Sequence, residues 1–366
     1  MVRSSVALAA PEADALANPG RRHTLIASAS GALLAACGGG GGGADGGTAT
    51  FEEVATPPAS RADASRFLQQ TTFGPTDSDI TALMNSSYRG WLEAQMALPP
   101  QPVYVNAMQG WFDRGESYRP GGDRYTPEII TDTFWKNAAV APDSLRVRLV
   151  HSLVQIFVVS FQDRDLYEHG RAFAGYLDNL GRLAFGNHRD LLEAVAMSPV
   201  MGMYLSHIRN QKADAASGRK PDENFAREVM QLFSIGLHEL NEDGSARLAA
   251  GGQPAETYGM HDVEGMARVF TGWSWDMPDE DSYDSTFYWG SPDSATTGGT
   301  RADLRPMRIC PKFHAPESKQ FLGVTIAACT QGPQSQRIAL DTLFNHANVG
   351  PLFGRQLIQR LVTSNP

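Results

Sequence analysis

Acid–base chemistry in this chain would draw on residues from two short segments and one later loop. The catalytic candidates are Glu228, Asp262 and His314. A carboxylate held beside a cation can exchange protons with a substrate, and Glu228 directly follows Arg227 while Arg268 shares a segment with Asp262. The same charges could instead form a buried ion-pair network of Arg227, Glu228, Asp262 and Arg268, which would cost about 3–5 kcal/mol to break. The sequence leaves both interpretations open.

A second candidate site is the loop 271–290, in which aromatic and acidic residues are interleaved. Its principal members are Trp273, Trp275, Asp276, Asp279, Asp281, Asp284 and Trp289. Aromatic faces can stack on sugar rings, and carboxylates can bind Ca²⁺ or hydrolyse glycosidic bonds. These residue types indicate glycan or calcium binding, although their spacing does not match an EF-hand loop. The alternative is a surface loop whose aromatic rings pack on the protein while its acids face solvent.

Histidines and cysteines give a weaker indication of metal binding. The histidines are dispersed, with no H-E-x-x-H or H-x-H pair, and no C-x-x-C occurs. A mixed site of Glu228, Asp262 and His314 is one option for a divalent metal, and no other cofactor is predicted. In an oxidising compartment Cys310 and Cys329 could pair, and closing a loop of about 20 residues would contribute about 3 kcal/mol.

The N-terminal region indicates export and a lipid anchor. Arg21 and Arg22 precede an apolar, small-residue run that stops at Cys37, which is the pattern of a signal peptide. The run has roughly 13 residues, too few to cross a bilayer, which takes about 20. Its end, LAAC, resembles a bacterial lipobox, so we predict a lipoprotein-type signal peptide at 1–36, with twin-arginine export as one route. Cys37 would then be acylated, and the Gly-rich stretch 37–60 would be a flexible tether.

An acylated cysteine would attach the protein to the cell membrane or the outer membrane, facing the periplasm or the exterior. The overall composition is that of a globular protein, with 42% hydrophobic and 19% charged residues and a net charge of −9. No basic cluster suited to nucleic acid occurs. The motif G-x-x-x-x-G-K-[ST] is also missing from the sequence. Nucleic acid and nucleotides are therefore not expected as partners.

Apolar residues recur at helical spacing along much of 61–366, which predicts helices there. The candidate residues would therefore be positioned mainly by helices. In the segment that carries Glu228, one apolar stripe is formed by Phe225, Val229, Leu232 and Phe233. Glu223 precedes Arg227 by four residues, the favourable order for an intrahelical ion pair. The segment that carries Asp262 has a similar stripe, and the two are expected to pack together. We predict a predominantly α-helical, single multi-helix globular domain with a short β-hairpin near 284–326.

Five segments occur in an order that resembles a bacterial family, domain of unknown function 1800. They are RFLQQTTFG (66–74), NFAREVMQLFSIG (224–236), DVEGMARVFTGW (262–273), KFHAPESKQFLG (312–323) and LFNHANVGPLFGRQLIQRLVTSNP (343–366). The resemblance implies an exported, mostly helical domain over 61–366, with no established activity. Genes of this family often neighbour those of another exported family, domain of unknown function 1501, which implies a product of that family as a partner.

The chain differs from the usual pattern of this family in two places. Many members of the family carry a Trp-His-Asn-His-Phe stretch, where this chain has Leu-Val-Gln-Ile-Phe at 153–157 and a single nearby His151. A metal site built on that histidine pair is therefore not expected here. Relatives usually continue beyond the position of Pro366, so we expect a truncated or shortened C-terminus.

Two functions follow from these observations. The first is a non-catalytic, lipid-anchored protein of the cell envelope that acts as an accessory or binding protein. The alternative is an extracytoplasmic hydrolase or metal-dependent enzyme acting on polymers or glycans through Glu228, Asp262 and His314. Convergence of these three side chains in an open cleft would favour the enzyme.

Overall fold

The structure, a computed structural model, describes residues 55–116, 126–276, 287 and 302–366. The predicted signal peptide at 1–36, Cys37 and the tether as far as residue 54 lie outside these residues. Within the described ranges the chain is predominantly α-helical and carries two short antiparallel strand pairs. The predicted fold class is confirmed.

The helices follow one another closely in the sequence. In chain order they are α1 (Arg61–Thr71), α2 (Asp77–Met84), α3 (Tyr88–Ala97), α4 (Val103–Asp113), α5 (Glu128–Val140), α6 (Ser144–Ile156), α7 (Arg164–Tyr167), α8 (Gly170–Leu183), α9 (His188–Ala196), α10 (Pro199–Tyr204), α11 (Asn224–Gln231), α12 (Met260–Val269), α13 (Gly332–Phe344) and α14 (Val349–Leu361). Short 3₁₀ turns lie at Ala302–Leu304 and Pro311–Phe313.

The first three helices form a small apolar cluster of their own. Helix α2 begins at a reciprocal cap: the Asp79 amide donates to the Thr76 hydroxyl at 3.3 Å, and the Thr76 amide donates to the Asp79 carboxylate at 2.8 Å. Phe67 of α1 contacts Tyr88 and Trp91 of α3, with ring centroids 4.8 and 5.4 Å apart. These aromatic contacts fix α1 against α3.

The main core surrounds α8, which is buried along most of its length. The Tyr176 hydroxyl donates to the Phe157 carbonyl oxygen at 2.7 Å and so joins α8 to the end of α6. Arg171 donates from two nitrogens to the Asp303 carboxylate at 2.6 and 3.0 Å, and both side chains are buried. This bidentate pair holds the turn Ala302–Leu304 against α8, because separation would leave two buried charges uncompensated.

The strands lie beside α12. Strand β1 (Trp273–Ser274) pairs with β2 (Arg308–Ile309), and β3 (Lys319–Phe321) forms a hairpin with β4 (Val324–Ile326). The hairpin falls inside the predicted interval 284–326, whereas the β1–β2 pair was not predicted.

Helix α12 and strand β3 approach each other unusually closely. A Cβ atom on Gly265 would lie 1.8 Å from the Gln320 carbonyl oxygen. Only glycine therefore allows the helix to lie so close to the strand.

Candidate functional site

Helices α11 and α12, which carry most of the candidate residues, pack against each other through aromatic side chains. Phe225 and Phe270 are both buried and meet edge to face, with ring centroids 4.7 Å apart. The buried His207 ring stacks on Phe225 with centroids 3.8 Å apart and lies 6.0 Å from the Phe270 ring. The predicted packing of the two helices is confirmed, and it leaves their charged residues at the edges of the contact.

Asp262 serves as a structural cap. One carboxylate oxygen accepts from the Gly259 amide at 2.8 Å, at the start of α12, and the other accepts from the Leu322 amide at 2.7 Å, in the turn of the hairpin. Asp262 therefore links the helix to the hairpin, and both of its oxygens are occupied by backbone donors.

The two arginines pair within their own helices. Arg227 forms an ion pair with Glu223 at 2.6 Å, as their spacing predicts, and Arg268 approaches Glu264 at 3.9 Å. In the part of the chain that the structure describes, no ion pair links Arg227, Glu228, Asp262 and Arg268 to one another. Each of these ion pairs therefore stabilises one helix and does not join α11 to α12.

Glu228 lacks a completed set of contacts. Its side chain is half-buried, and Oε2 is buried with no hydrogen-bond donor. Burial raises the pKa of its carboxyl group above the usual value. Tyr258 lies close enough for the charges of Arg227 and Glu228 to act on its pKa, which burial raises. A buried acceptor without a donor costs about 1–3 kcal/mol, and more when it is charged.

His314 belongs to a different cluster. Its Nδ1 donates to the Thr271 carbonyl oxygen at 2.9 Å, which leaves Nε2 as an acceptor, and that buried atom has no partner. Burial lowers the pKa of His314. Nearby, the fully buried Lys319 donates from Nζ to the Ala315 carbonyl oxygen at 2.9 Å. These bonds tie the turn 311–315 to the strands.

The three catalytic candidates are therefore not joined. No hydrogen bond or ion pair connects His314 to Glu228 or Asp262 among the residues that the structure describes. Across the same residues, no group of three or more His, Cys, Asp or Glu side chains could hold a metal ion.

The described part of the aromatic loop faces inward. Trp273 and Trp275 are only 5% and 3% exposed, and the Trp273 indole donates to the Val269 carbonyl oxygen at 3.4 Å. Asp276 forms an ion pair with Arg305. These tryptophan faces are covered by protein and not open to a sugar ring. The remaining members of the predicted glycan or calcium loop, Asp279, Asp281, Asp284 and Trp289, lie outside the described residues.

No disulfide bond joins Cys310 to Cys329 in the structure. Cys310 is buried in a small cluster with Phe287 and Phe313, whereas the Cys329 side chain is exposed. The two thiols therefore have different surroundings in this structure, and their pairing in an oxidising compartment stays a prediction.

Two polar residues with shifted pKa values, the half-buried Asp178 and the buried His188, were not predicted from the sequence. The Asp178 carboxylate accepts from the Tyr104 and Val105 amides at 3.1 and 2.9 Å and thereby caps α4, and burial raises its pKa to about 6. His188 begins α9, and burial lowers its pKa to about 4. Neither residue belongs to a recognisable local motif, and the Asp178 contacts span 73 and 74 residues.

Together these arrangements define a helical domain in which most candidate charged residues cap or brace the protein's own helices. The chain belongs to the family described as protein of unknown function (DUF1800), whose model matches residues 66–366. This membership confirms the resemblance found in the sequence. No curated protein and no solved structure matches the chain. None of the helices in the described ranges has the length and apolar character that a membrane crossing requires.

The segment 153–157 is part of the core. Leu153 and Phe157 are buried, so this segment packs the helical body. The nearby His151 ring stacks against Phe134 with centroids 5.4 Å apart, and burial lowers its pKa. Apolar packing therefore occupies the place where the resemblance implies a histidine pair in many relatives.

Proposed function

We propose that this protein is an exported, lipid-anchored component of the bacterial cell envelope that works by binding another protein. The leader 1–36 would direct export, acylated Cys37 would attach the chain to a membrane, and the Gly-rich tether would allow the helical domain to reach a partner. The pattern of Arg21-Arg22, the apolar run and Cys37 supports the anchor.

The observation that carries the binding function is the incomplete environment of Glu228. Its buried Oε2 lacks a donor, while Leu232, one helical turn further on, is 40% exposed. Met260 is 57% exposed, and its sulfur lies 3.1 Å from an Arg227 nitrogen. An unsatisfied carboxylate beside exposed apolar side chains and an arginine has the composition of a protein-binding surface, in which Met and Arg are enriched.

A partner that covers this surface would bury the exposed apolar area of Leu232 and Met260, and it would offer a hydrogen-bond donor to the accessible part of the half-buried Glu228 side chain. An arginine or a backbone amide of the partner would serve as the donor to the Glu228 carboxylate, because hydrogen bonds to a charged acceptor are strong. The resemblance to the family directs attention to an exported product of the family called domain of unknown function 1501. That product is our candidate partner.

The test is a binding titration of the full-length protein with the 1501-type protein from the same genome. Glu228→Gln keeps the shape of the side chain and removes its charge, so we expect affinity to fall roughly tenfold to hundredfold. The control is Glu242→Gln on an exposed surface, which should leave affinity unchanged. Equal losses in both variants, or no binding by the parent protein, would reject this surface or this partner.

The anchor is tested separately. Cys37→Ser removes the acylation site, and the variant should move from the membrane fraction to the soluble fraction after cell lysis. Mass spectrometry of the parent protein should find an acylated N-terminal Cys37. Unchanged membrane fractionation of the variant would exclude the lipid anchor and would leave the binding surface to be judged by the titration alone.

The alternative function is an extracytoplasmic hydrolase or metal-dependent enzyme acting on polymers or glycans. The raised pKa of Glu228 favours it, because a general acid works best when its pKa lies closer to the operating pH, and burial shifts this carboxyl group in that direction. Hydrolysis of this kind usually employs a second carboxylate, and Asp262 is engaged by two backbone amides. Stoichiometric metal in the purified protein, or polymer cleavage abolished by Glu228→Gln without loss of folding, would favour the enzyme over the binding protein.

A further inference from the structure

Helix α6 carries an arginine whose charge has no counter-ion among the described residues. The Arg148 guanidinium forms no hydrogen bond or ion pair within those residues. Its Nε atom is buried without an acceptor, whereas its two terminal nitrogens are not buried. Arg146, two residues earlier on the same helix, contacts the Asp143 carboxylate at 3.4 Å and donates to two backbone carbonyl oxygens at 2.8 and 2.6 Å. Arg148 therefore retains a charge and donors that no part of the described fold uses.

The half-buried position of Arg148 makes this lack of a counter-ion unfavourable. Burial lowers the pKa of Arg148, and no carboxylate among the described residues opposes that effect, whereas the Asp143 charge raises the pKa of Arg146. The Arg148 Cζ atom lies 5.2 Å from the centroid of the Phe73 ring, which supplies a cation–π contact. An anion bound to the guanidinium would compensate the partly dehydrated charge more fully than an aromatic ring does.

His151 places a neutral donor beside this cation. It follows Arg148 by three residues, so the two side chains share one face of α6. Burial and the Arg148 charge both lower the pKa of His151, and its ring is therefore neutral near pH 7. Neither ring nitrogen forms a hydrogen bond to a described residue, and neither is buried. A neutral imidazole carries one N–H group, which can donate to the same anion as Arg148.

Aromatic rings fix the imidazole and extend the site toward solvent. The His151 ring stacks on Phe134 and meets Phe73 edge to face, with centroids 5.4 and 5.6 Å apart. The next ring, Trp135, lies 5.1 Å from Phe134 between centroids and is 64% exposed. An aromatic face this open to water can cover the apolar part of a ligand. Trp and Arg are also the side chains most enriched among residues that dominate binding energy.

We propose that Arg148 and His151 bind the carboxylate of a small apolar carboxylic acid, and that Trp135 covers its apolar part. The planar guanidinium can donate two parallel hydrogen bonds to a carboxylate. The site has one positive charge, which matches a single negative charge and would leave a doubly charged phosphate partly uncompensated. It shares no residue with the surface around Glu228, so this binding goes beyond the proposed function.

The experiment titrates the full-length protein with 3-phenylpropanoate and with 3-phenylpropanamide by calorimetry near pH 7. The amide has nearly the same shape and no charge. We expect the carboxylate to bind roughly tenfold to hundredfold more tightly, the factor that hydrogen bonds to a charged group supply. Inorganic phosphate, which lacks the apolar group, should bind more weakly than 3-phenylpropanoate.

Arginine variants test whether the preference for the carboxylate arises at this site. Arg148→Met keeps the length of the side chain and removes its charge, so the preference should disappear. The control is Arg182→Met, because Arg182 is exposed and donates to the Asn179 side chain at 3.3 Å; this variant should keep the preference. Urea unfolding should find Arg148→Met at least as stable as the parent protein, because no ion pair among the described residues is lost.

Two further variants complete the test. Trp135→Ala should weaken binding of the acid and the amide alike, by roughly threefold to tenfold, because it removes the contact to their common ring. Arg148→Lys keeps the charge but not the planar pair of donors, so it should reduce the preference even if Arg148→Met fails to fold. Three results would overturn the proposal: equal affinity for the acid and the amide, a preference undiminished in both Arg148 variants, or tighter binding of inorganic phosphate than of 3-phenylpropanoate.

Discussion

Acidification from pH 7 to pH 5 should destabilise the protein, chiefly through the buried histidines His188 and His207. Burial lowers the pKa of each from the ordinary value of 6.5 to about 4. Between these values the unfolded chain binds protons that the folded protein does not. The stabilising contribution of each neutral ring is therefore complete above pH 6.5 and is lost as the pH falls through 4.

The magnitude follows from proton linkage. For pKa values of 6.5 unfolded and about 4 folded, each histidine loses about 2 kcal/mol of stability between pH 7 and pH 5. Asp178 opposes this change, because burial raises its pKa from 3.8 to about 6. Its stabilising contribution is present at low pH and is lost as the pH rises through 6. Acidification to pH 5 therefore raises the free energy of unfolding by about 1 kcal/mol through this residue. The expected net loss is about 2–3 kcal/mol.

The assay is urea unfolding of the full-length protein at pH 7 and pH 5, with His188→Gln compared with the parent protein. Gln cannot be protonated in this range, so the variant should lose about 2 kcal/mol less than the parent on acidification. The exposed His261 provides the control, and His261→Gln should behave like the parent. If His188→Gln and the parent lose the same stability, the neutral, buried histidine is not the cause and the reasoning is refuted.

Two further predictions concern close packing and buried charge. Gly265→Ala should destabilise the protein by about 2 kcal/mol or more, because the added Cβ would meet the Gln320 carbonyl oxygen at 1.8 Å; urea unfolding measures the loss, and Gly251→Ala, with open space around it, should be nearly neutral. Arg171→Met should cost about 3–5 kcal/mol, because the buried Asp303 would lose its bidentate partner; a change in melting temperature no larger than that of an exposed arginine variant would contradict this value.

Contacts between residues close together in the sequence could be predicted from it, whereas contacts between distant segments could not. The stripe through Phe225 predicted how α11 packs, and the spacing of Glu223 and Arg227 predicted their ion pair, because helical periodicity fixes both. The capping contact between Asp262 and the Leu322 amide spans 60 residues. No periodicity encodes such a contact, and so the carboxylate could equally be interpreted as catalytic.

The lack of a local signal also explains why the burial of His188, Trp273 and Trp275 was not predicted. A lone histidine at a helix start has no motif, and only the burial of its two nitrogens distinguishes it from any other helical histidine. Trp273 and Trp275 occur in a sequence rich in acids, which is typical of an exposed loop. Pairing of β1 with β2, which joins Trp273 to Ile309, places this stretch inside the protein instead.

Folding alone does not account for an acid at position 228. Glu228 is the one carboxylate in the described ranges with a buried oxygen that lacks a donor, and an isosteric amide would avoid the penalty of burying a charge. If stability were its only role, Glu228→Gln should be neutral or stabilising and should change nothing else. Under the proposed binding function, an interaction with a partner protein would compensate the cost of burying this carboxylate. The joint measurement of unfolding and partner binding for Glu228→Gln decides this, because a stabilised variant that binds as tightly as the parent would leave the acid without a function.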